Sequence, residues 1–213
     1  MLLAADWVTI SALATAGGTL VLAVATFASV RSANRAARVA EQSLLVSLRP
    51  LLMPSRYDDP PQKINFMDDK LLKVEGGRAA AEADGDVVYL GMPVRNVGTG
   101  IAVLHGWHFR AGPTFGVNEH APLEEFRRLS RDLYISPGDV GFWQGAFRDR
   151  NEPGFAEAKR SAEDHATITI ELLYGDLEGA QRMISRYAFL PRDDGSWLAS
   201  ASRHWNVDGR APR

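Results

Sequence analysis

The chain has 213 residues, no cysteine and a formal net charge of -2 at pH 7. The lack of cysteine excludes disulfides, thiolate metal sites and cysteine nucleophiles, and it fits a reducing compartment. The small net charge argues against a nucleic-acid partner, because such proteins carry a surplus of Lys and Arg on one face. About 180 residues follow the first hydrophobic segment, which is enough for one domain with an ordinary core.

The segment from Trp7 to Val30 contains no charged side chain. As a helix rising about 1.5 Å per residue it would be roughly 36 Å long, enough to cross a hydrocarbon core of about 30 Å. A cleaved signal peptide would need basic residues before a shorter apolar core, and only Asp6 is charged before this segment. We therefore predict an N-terminal tail and transmembrane helix in residues 1–30, with the lipid bilayer as partner.

The flanking residues predict an orientation for this helix. Arg31, Arg35 and Arg38 follow it closely, whereas the short tail before it has no Lys or Arg. By the positive-inside rule, the N-terminus lies outside and the C-terminal domain lies in the cytoplasm, in a cell inner membrane. We expect the three arginines, and Trp7 at the other end, to lie at the membrane interfaces.

A stalk helix is predicted to continue from the membrane through residues 31–49. This segment has no Gly or Pro and is rich in good helix formers, and Pro50 ends it. Its apolar face could pack on the soluble domain, pair with another stalk or lie along the bilayer. Within the membrane segment, Ala14 and Gly18 could let two helices approach and form a homo-oligomer, although an alanine-rich helix also shows this spacing by chance.

Residues 50–213 are predicted to form one mainly β domain, an immunoglobulin-like antiparallel β-sandwich. The clearest evidence is alternation of apolar and polar residues in Val87–Arg95 and Thr167–Tyr174, which is typical of half-buried antiparallel strands. Hairpin loops agree with this: Asn96–Gly100 is Gly-rich, and Pro137-Gly138 suits a type II turn. Further strands are predicted at Leu51–Met53, Lys70–Val74, Ile101–Arg110, Leu133–Ile135, Val140–Phe147, Arg182–Phe189 and Trp197–Arg203.

Two helical insertions are predicted within this β domain. Each begins with a proline, which favours the first turn of a helix, and they cover Pro122–Arg131 and Pro153–Ala162. Neither lies between regularly alternating strands, so a parallel α/β sheet is disfavoured.

Three short stretches resemble a known group of proteins. They are Arg95–Ala102, which reads Asn-x-Gly-x-Gly-x-Ala from its second residue, Ser136–Asp139 and Tyr174–Asp176. In these stretches and in its architecture, the chain is similar to uncharacterised bacterial membrane proteins that join one N-terminal helix to a small β-sandwich. The resemblance implies a membrane location and a fold, and it implies no catalytic residue.

Histidine spacing raises the question of a metal site. His105 and His108 read His-x-x-His, but on a predicted strand an odd offset places side chains on opposite faces. Joint ligation would require a β-bulge, which Gly106 permits. A packed, hydrogen-bonded histidine is the simpler interpretation, and we predict no metal site.

Sequence motifs for catalysis are also lacking. There is no Gly-x-Ser-x-Gly elbow, phosphate-binding loop, His-Glu-x-x-His or dinucleotide fingerprint. Paired carboxylates fall in predicted turns or at a helix start, where they hydrogen-bond the local backbone or favour the helix dipole. We predict no catalytic residue and no cofactor.

The leading hypothesis is a membrane-anchored, non-enzymatic protein-interaction module with a protein partner. The alternative is a ligand-sensing or enzymatic domain whose site is assembled from the loops Asn118–Leu129 and Arg148–Asn151, with His120, Glu124 or Arg127 gathered in a polar pocket. A third hypothesis is an accessory subunit of a membrane complex, held by the transmembrane helix itself.

Overall fold

The computed structural model describes residues 2–114, 116–179 and 181–208, so Met1 and residues 209–213 of the predicted domains lie outside it. The chain divides into two compact units, Met1–Val46 and Ser47–Arg213. The first is helical and the second is mainly β.

Helix α1, Leu2–Ser47, contains the hydrophobic segment. It is the one helix of the described residues that is long and apolar enough to cross a membrane, over Trp7–Glu41, and it agrees with a single-pass membrane protein. Its hydroxyl groups suit such a location, because Thr15 and Thr26 donate to backbone carbonyls one turn earlier, at 2.9 and 2.7 Å. A polar group bonded within its own helix costs less to place among lipid chains.

The described part of the β unit contains eleven strands, one α-helix and one short 3-10 helix, Leu123–Glu125. The strands and helix are β1 Leu52–Pro54, β2 Gln62–Asn65, β3 Leu71–Val74, β4 Arg78–Asp84, β5 Val87–Asn96, β6 Ala102–Ala111, β7 Arg127–Ile135, β8 Val140–Phe147, α2 Phe155–Glu163, β9 Ile168–Gly175, β10 Arg182–Pro191 and β11 Trp197–Asn206.

Nine of the strands form one curled antiparallel sheet, in the order β1-β5-β4-β11-β10-β9-β6-β7, with β8 paired to β5. The two remaining strands, β2 and β3, pair with each other as a hairpin. Only two residue pairs join β4 to β11, so the sheet has two halves that meet at this narrow connection. The mainly β prediction is confirmed; the immunoglobulin-like arrangement is not, since the two halves belong to one sheet.

The predicted strand faces are those that build the core. Val88, Leu90, Met92 and Val94 of β5 are all fully buried, in one cluster with the alternating apolar residues of β9. The outer face of the same half is covered by the β2–β3 hairpin, where Phe66 packs against Tyr89. Both faces of β5 are therefore buried, one in the main core and one beneath the hairpin.

The helix predicted at Pro122–Arg131 is wrong. The chain makes one 3-10 turn, Phe126 is already extended, and Arg127 begins β7. Residues of high helix propensity form a strand here because β6 offers a pairing partner, and tertiary contacts outweigh intrinsic propensity. The second predicted helix is confirmed as α2.

The loop after β5 surrounds one buried amide, that of Asn96. Its Nδ2 donates to the carbonyls of Gly100 and Ile135 at 2.7 and 3.0 Å, and its Oδ1 accepts from the amides of Leu51 and Gly98 at 3.2 and 3.0 Å. A Cβ on Gly100 would lie 1.7 Å from the Leu48 carbonyl oxygen. The Asn-x-Gly-x-Gly pattern is therefore explained by close backbone packing.

Candidate functional site

Two neighbouring strand edges of the β unit have no strand paired to them among the described residues. Within the part of the chain that the structure describes, β7 pairs only with β6, and β8 pairs only with β5. The two strands are consecutive, and near their connecting turn Gly141 lies directly against Ile135. Farther from the turn, a cavity of about 210 Å³ opens between Arg127–Leu129 and Gln144–Ala146. We call it the β7–β8 cleft.

A large bulge in β7 contributes to this opening. Leu104 of β6 faces Leu133, and Gly106, only two residues later, faces Arg128. Residues 129–132 consequently have no partner on β6. Bulges of this kind bend a strand and redirect its side chains, and they are common beside binding sites. His105 lies in the same bulge, on the β6 side. From the sequence, a metal site shared by His105 and His108 would require such a bulge.

The uncovered edge of β8 presents backbone groups to the cleft. Arg127 Nη2 donates to the carbonyl oxygen of Ala146 at 3.4 Å, so this carbonyl points into the cleft. In an antiparallel strand the N–H and C=O of one residue share a side, and the side alternates with each residue. The backbone groups of Gln144 therefore face the cleft as well.

Gln144 supplies an unusual feature of the cleft. The residue lines the cavity and is 8% exposed, and its Oε1 is enclosed and has no hydrogen-bond donor among the described residues. A buried polar atom without a partner costs about 1–3 kcal/mol, and most buried polar atoms in proteins have one. Trp143 Nε1 is also unpartnered in the described residues, but it belongs to the main core.

Three arginines surround the cleft. The guanidinium of Arg127 lies over the rings of Trp107 and Phe147, at 4.9 and 4.3 Å from their centres, and forms an ion pair with Glu152 at 2.8 Å. Stacking on two aromatic rings and pairing with a carboxylate fix the position of this guanidinium.

The other two arginines are less constrained. Arg148 reaches Asp68 of the β2–β3 hairpin at 3.4 Å, and Arg128 is exposed and makes no ion pair with the described residues. The cleft therefore holds three guanidinium groups against two carboxylates, Asp68 and Glu152, which leaves an excess of positive charge.

Asp68 is held in its charged form. Burial raises the pKa of its carboxyl, but the hydrogen bond from the Tyr89 hydroxyl and the charge of Arg148 outweigh this and lower the pKa below its usual value. Desolvation and the neighbouring Asp68 raise the pKa of Tyr89 to about 12. At neutral pH the rim of the cleft thus carries an anionic Asp68 and a neutral Tyr89. The adjoining Met67 is 84% exposed.

A second cavity meets the cleft at Arg127. It has a volume of about 460 Å³ and is lined by residues of β6, the 3-10 helix and the start of α2, among them His108, Glu125 and Glu157. His108 Nε2 lies 3.4 Å from Glu125. Burial lowers the pKa of His108, against the opposing charges of Glu171 and Glu125.

The residues predicted for a loop-built site are placed separately. Arg127 lines both cavities, Glu124 is exposed on the 3-10 helix, and the His120 ring contacts Trp205 at 5.6 Å. No contact among the described residues joins these three side chains. His120 is carried by a loop fixed to the outer face of the sheet, where the buried Glu171–Arg186 ion pair binds the loop backbone.

The predicted membrane residues remain predictions. Trp7 is 74% exposed, Arg31, Arg35 and Arg38 are exposed along α1, and Ala14 is exposed with them. A Cβ on Gly18 would meet nothing within 4 Å.

Sequence reasoning missed Gln144, Glu152 and Trp107 as cleft residues. Gln144 lies in a strand that was predicted correctly, and it is the one polar side chain in a long apolar run, Val140–Phe147, so it could have been noticed. No protein-family model and no curated protein matches the chain.

Proposed function

We propose that the protein is a membrane-anchored, non-enzymatic interaction module that holds a partner protein at the β7–β8 cleft. The observation that carries the proposal is the pair of uncovered strand edges beside a buried, unpartnered amide oxygen. Uncovered edges are sites where proteins add strands from other chains. A partner in the cleft would supply a donor to this oxygen once the Gln144 side chain turned toward it.

The size of the cleft supports a protein partner over a small ligand. Pockets that enclose drug-sized molecules usually measure about 300–1,000 Å³. The cavity between β7 and β8 measures about 210 Å³, which suits one or two side chains of a longer segment. The adjoining cavity, at about 460 Å³, lies within the small-molecule range and supports ligand sensing as a second function, with His108 and Glu125 as polar groups.

The proposal includes a location and an orientation. Arg31, Arg35 and Arg38 support a cytoplasmic β unit in a bacterial inner membrane, with the N-terminus outside. A reporter enzyme that is active only in the periplasm, fused to either end of the chain, tests this. We expect reporter activity from the N-terminal fusion only. Activity from a C-terminal fusion would reverse the orientation.

An immunoglobulin-like sandwich also remains part of the proposal. Its support is the antiparallel pairing throughout and the enclosure of one core between the two halves of the sheet. A crystal structure of the full chain, compared strand by strand with immunoglobulin domains, decides it.

Photo-crosslinking in intact membranes tests the proposed interaction. Met67, at the rim of the cleft, is replaced by benzoylphenylalanine, with Leu177 as the matched control because it is also an exposed apolar side chain, on the β9–β10 turn. We expect a discrete adduct from the Met67 position and none from the Leu177 position. The Met67 adduct should disappear in an Ala146→Pro background, because proline cannot donate a backbone hydrogen bond.

Two results would argue against the interaction module. One is the absence of any protein adduct at the Met67 position, and the other is an equal yield from the Leu177 position.

A further inference from the structure

We infer that the occupant of the β7–β8 cleft is an extended, acidic segment of a partner protein, which adds to the edge of β8 as a further strand. The inference rests on the proposed function and specifies the chemistry of the partner. Three observations support it independently: the backbone of β8, the amide of Gln144 and the charge of the cleft.

The backbone of β8 provides the first support. Ala146 presents its carbonyl to the cleft, and by alternation Gln144 presents its backbone groups there too. Among the described residues, the Ala146 carbonyl accepts one side-chain hydrogen bond, a long one of 3.4 Å from Arg127. An incoming strand would replace this contact with regular backbone hydrogen bonds of about 2.9 Å, as in other cases of strand addition.

The Gln144 side chain provides the second support. Its Oε1 is an acceptor, so the missing partner must be a donor. A peptide backbone supplies an N–H at every non-proline residue, whereas an ionised carboxylate supplies no donor. This atom therefore favours a peptide over a free carboxylate.

The charge of the cleft provides the third support. Arg128 is exposed and forms no ion pair in the described part of the chain, and Arg148 forms one long, 3.4 Å ion pair with Asp68 and lies 6.0 Å from the centre of the Tyr89 ring. Side chains alternate along a strand, so every second residue of an added segment would face the same way. Acidic residues at those positions would meet Arg128 and Arg148, and a carboxylate could share Arg127 with Glu152.

Defined peptides test the inference with the full chain in nanodiscs of neutral lipid. The probes are fluorescent octapeptides of alternating glutamate and valine, lysine and valine, or glutamine and valine, and binding is followed by fluorescence anisotropy. We expect the glutamate peptide to bind about tenfold more tightly than the lysine peptide at low salt, with the glutamine peptide between them. This preference should diminish as salt is added.

Two variants separate charge from strand addition. Arg128→Gln should weaken glutamate-peptide binding about three- to fivefold and leave glutamine-peptide binding unchanged, because it removes one exposed charge. Its matched control is Arg192→Gln, an exposed arginine at the β10–β11 turn, which should change neither. Ala146→Pro should weaken all three peptides about tenfold or more, since it removes a backbone donor from the edge.

Proper folding of Ala146→Pro is verified by its circular dichroism and thermal transition. If this variant does not fold, Ala146→N-methylalanine, introduced by semisynthesis, removes the same donor. Equal binding of glutamate and lysine peptides would overturn the acidic partner, and unchanged binding by the edge variant would overturn strand addition.

Failure of the inference remains distinct from failure of the proposed function. A crosslinked adduct at Met67 without a charge preference among the peptides would retain the interaction module and reject the acidic strand.

A lipid partner is a further outcome. If Arg128→Gln reduces binding to phosphatidylglycerol vesicles but leaves peptide binding unaffected, the arginines bind lipid headgroups and the inference is overturned.

Discussion

Asn96 and Gln144 are both buried amides in the same curled sheet, yet their surroundings differ. Asn96 is fully buried and makes four hydrogen bonds to the backbone, from the start of β1 to the end of β7. Gln144 is nearly as buried, but its oxygen has no donor among the described residues. A satisfied amide fixes the fold, whereas the unsatisfied oxygen of Gln144 is the group for which we propose a partner.

The strongest test of this contrast removes the satisfied amide. Asn96→Ala should lower the free energy of unfolding by about 3 kcal/mol or more, because it leaves several buried backbone groups without partners. The measurement is urea unfolding of the full chain in detergent, followed by near-ultraviolet circular dichroism. Asn65→Ala, at an exposed position on β2, is the control. A loss below about 1 kcal/mol would mean that Asn96 is not the centre of its loop.

Close packing around that loop is tested by Gly100→Ala. A Cβ at this position would lie 1.7 Å from the Leu48 carbonyl oxygen, so the backbone has to move. We expect a loss of about 2–3 kcal/mol in the same unfolding assay. Gly17→Ala, where an added Cβ meets nothing within 4 Å, should change stability by less than about 0.5 kcal/mol. Comparable losses in both variants would contradict the packing explanation.

At Gln144 we expect a substitution to raise the free energy of unfolding rather than lower it. Gln144→Met keeps an unbranched side chain of similar length but removes the unpartnered oxygen, so it should raise the free energy of unfolding by about 1 kcal/mol. The same variant should weaken binding of the glutamate peptide. Gln62→Met is the control, since the Gln62 amide donates to the Pro60 carbonyl and is partly exposed. Destabilisation by Gln144→Met would show that the oxygen has a partner, such as a bound water.

The smallest expected effect is a dependence of stability on pH. Burial lowers the pKa of both His108 and His204 below the usual 6.5. The unfolded chain therefore binds protons more readily, so the contribution of these groups to stability is complete above about pH 6.5 and decreases as the pH falls through the folded-state pKa values. Unfolding midpoints between pH 7.5 and 5.5 measure this. His108→Gln and His204→Gln should each reduce the slope, and an unchanged slope would exclude them as its source.

Much of the β unit could be predicted from local pattern. Period-two alternation identified β5 and β9, and the Pro137-Gly138 pair identified a turn in which Gly138 has a φ of 76°. These features depend on residues close in sequence. By contrast, β4 was missed because its Ala-rich sequence has little strand propensity, and pairing with β5 decides its conformation.

The cleft could not be predicted because its parts are distant in sequence. Arg127 was predicted as a site residue, but on a helix, and its partners Trp107 and Glu152 come from β6 and from the segment before α2. Whether the edge of β8 is covered also depends on the whole strand order. No local pattern in Val140–Phe147 indicates whether this edge is covered.

Helix α1 affects how tightly the cleft has to bind its partner. A cavity of about 210 Å³ with a few exposed ion pairs can provide only weak binding in dilute solution. Tethering two binding partners raises their effective concentration to about the millimolar range for short flexible connections. On the proposed function, a partner confined to the same membrane would therefore fill the cleft at a low intrinsic affinity, and solubilisation would empty it by dilution.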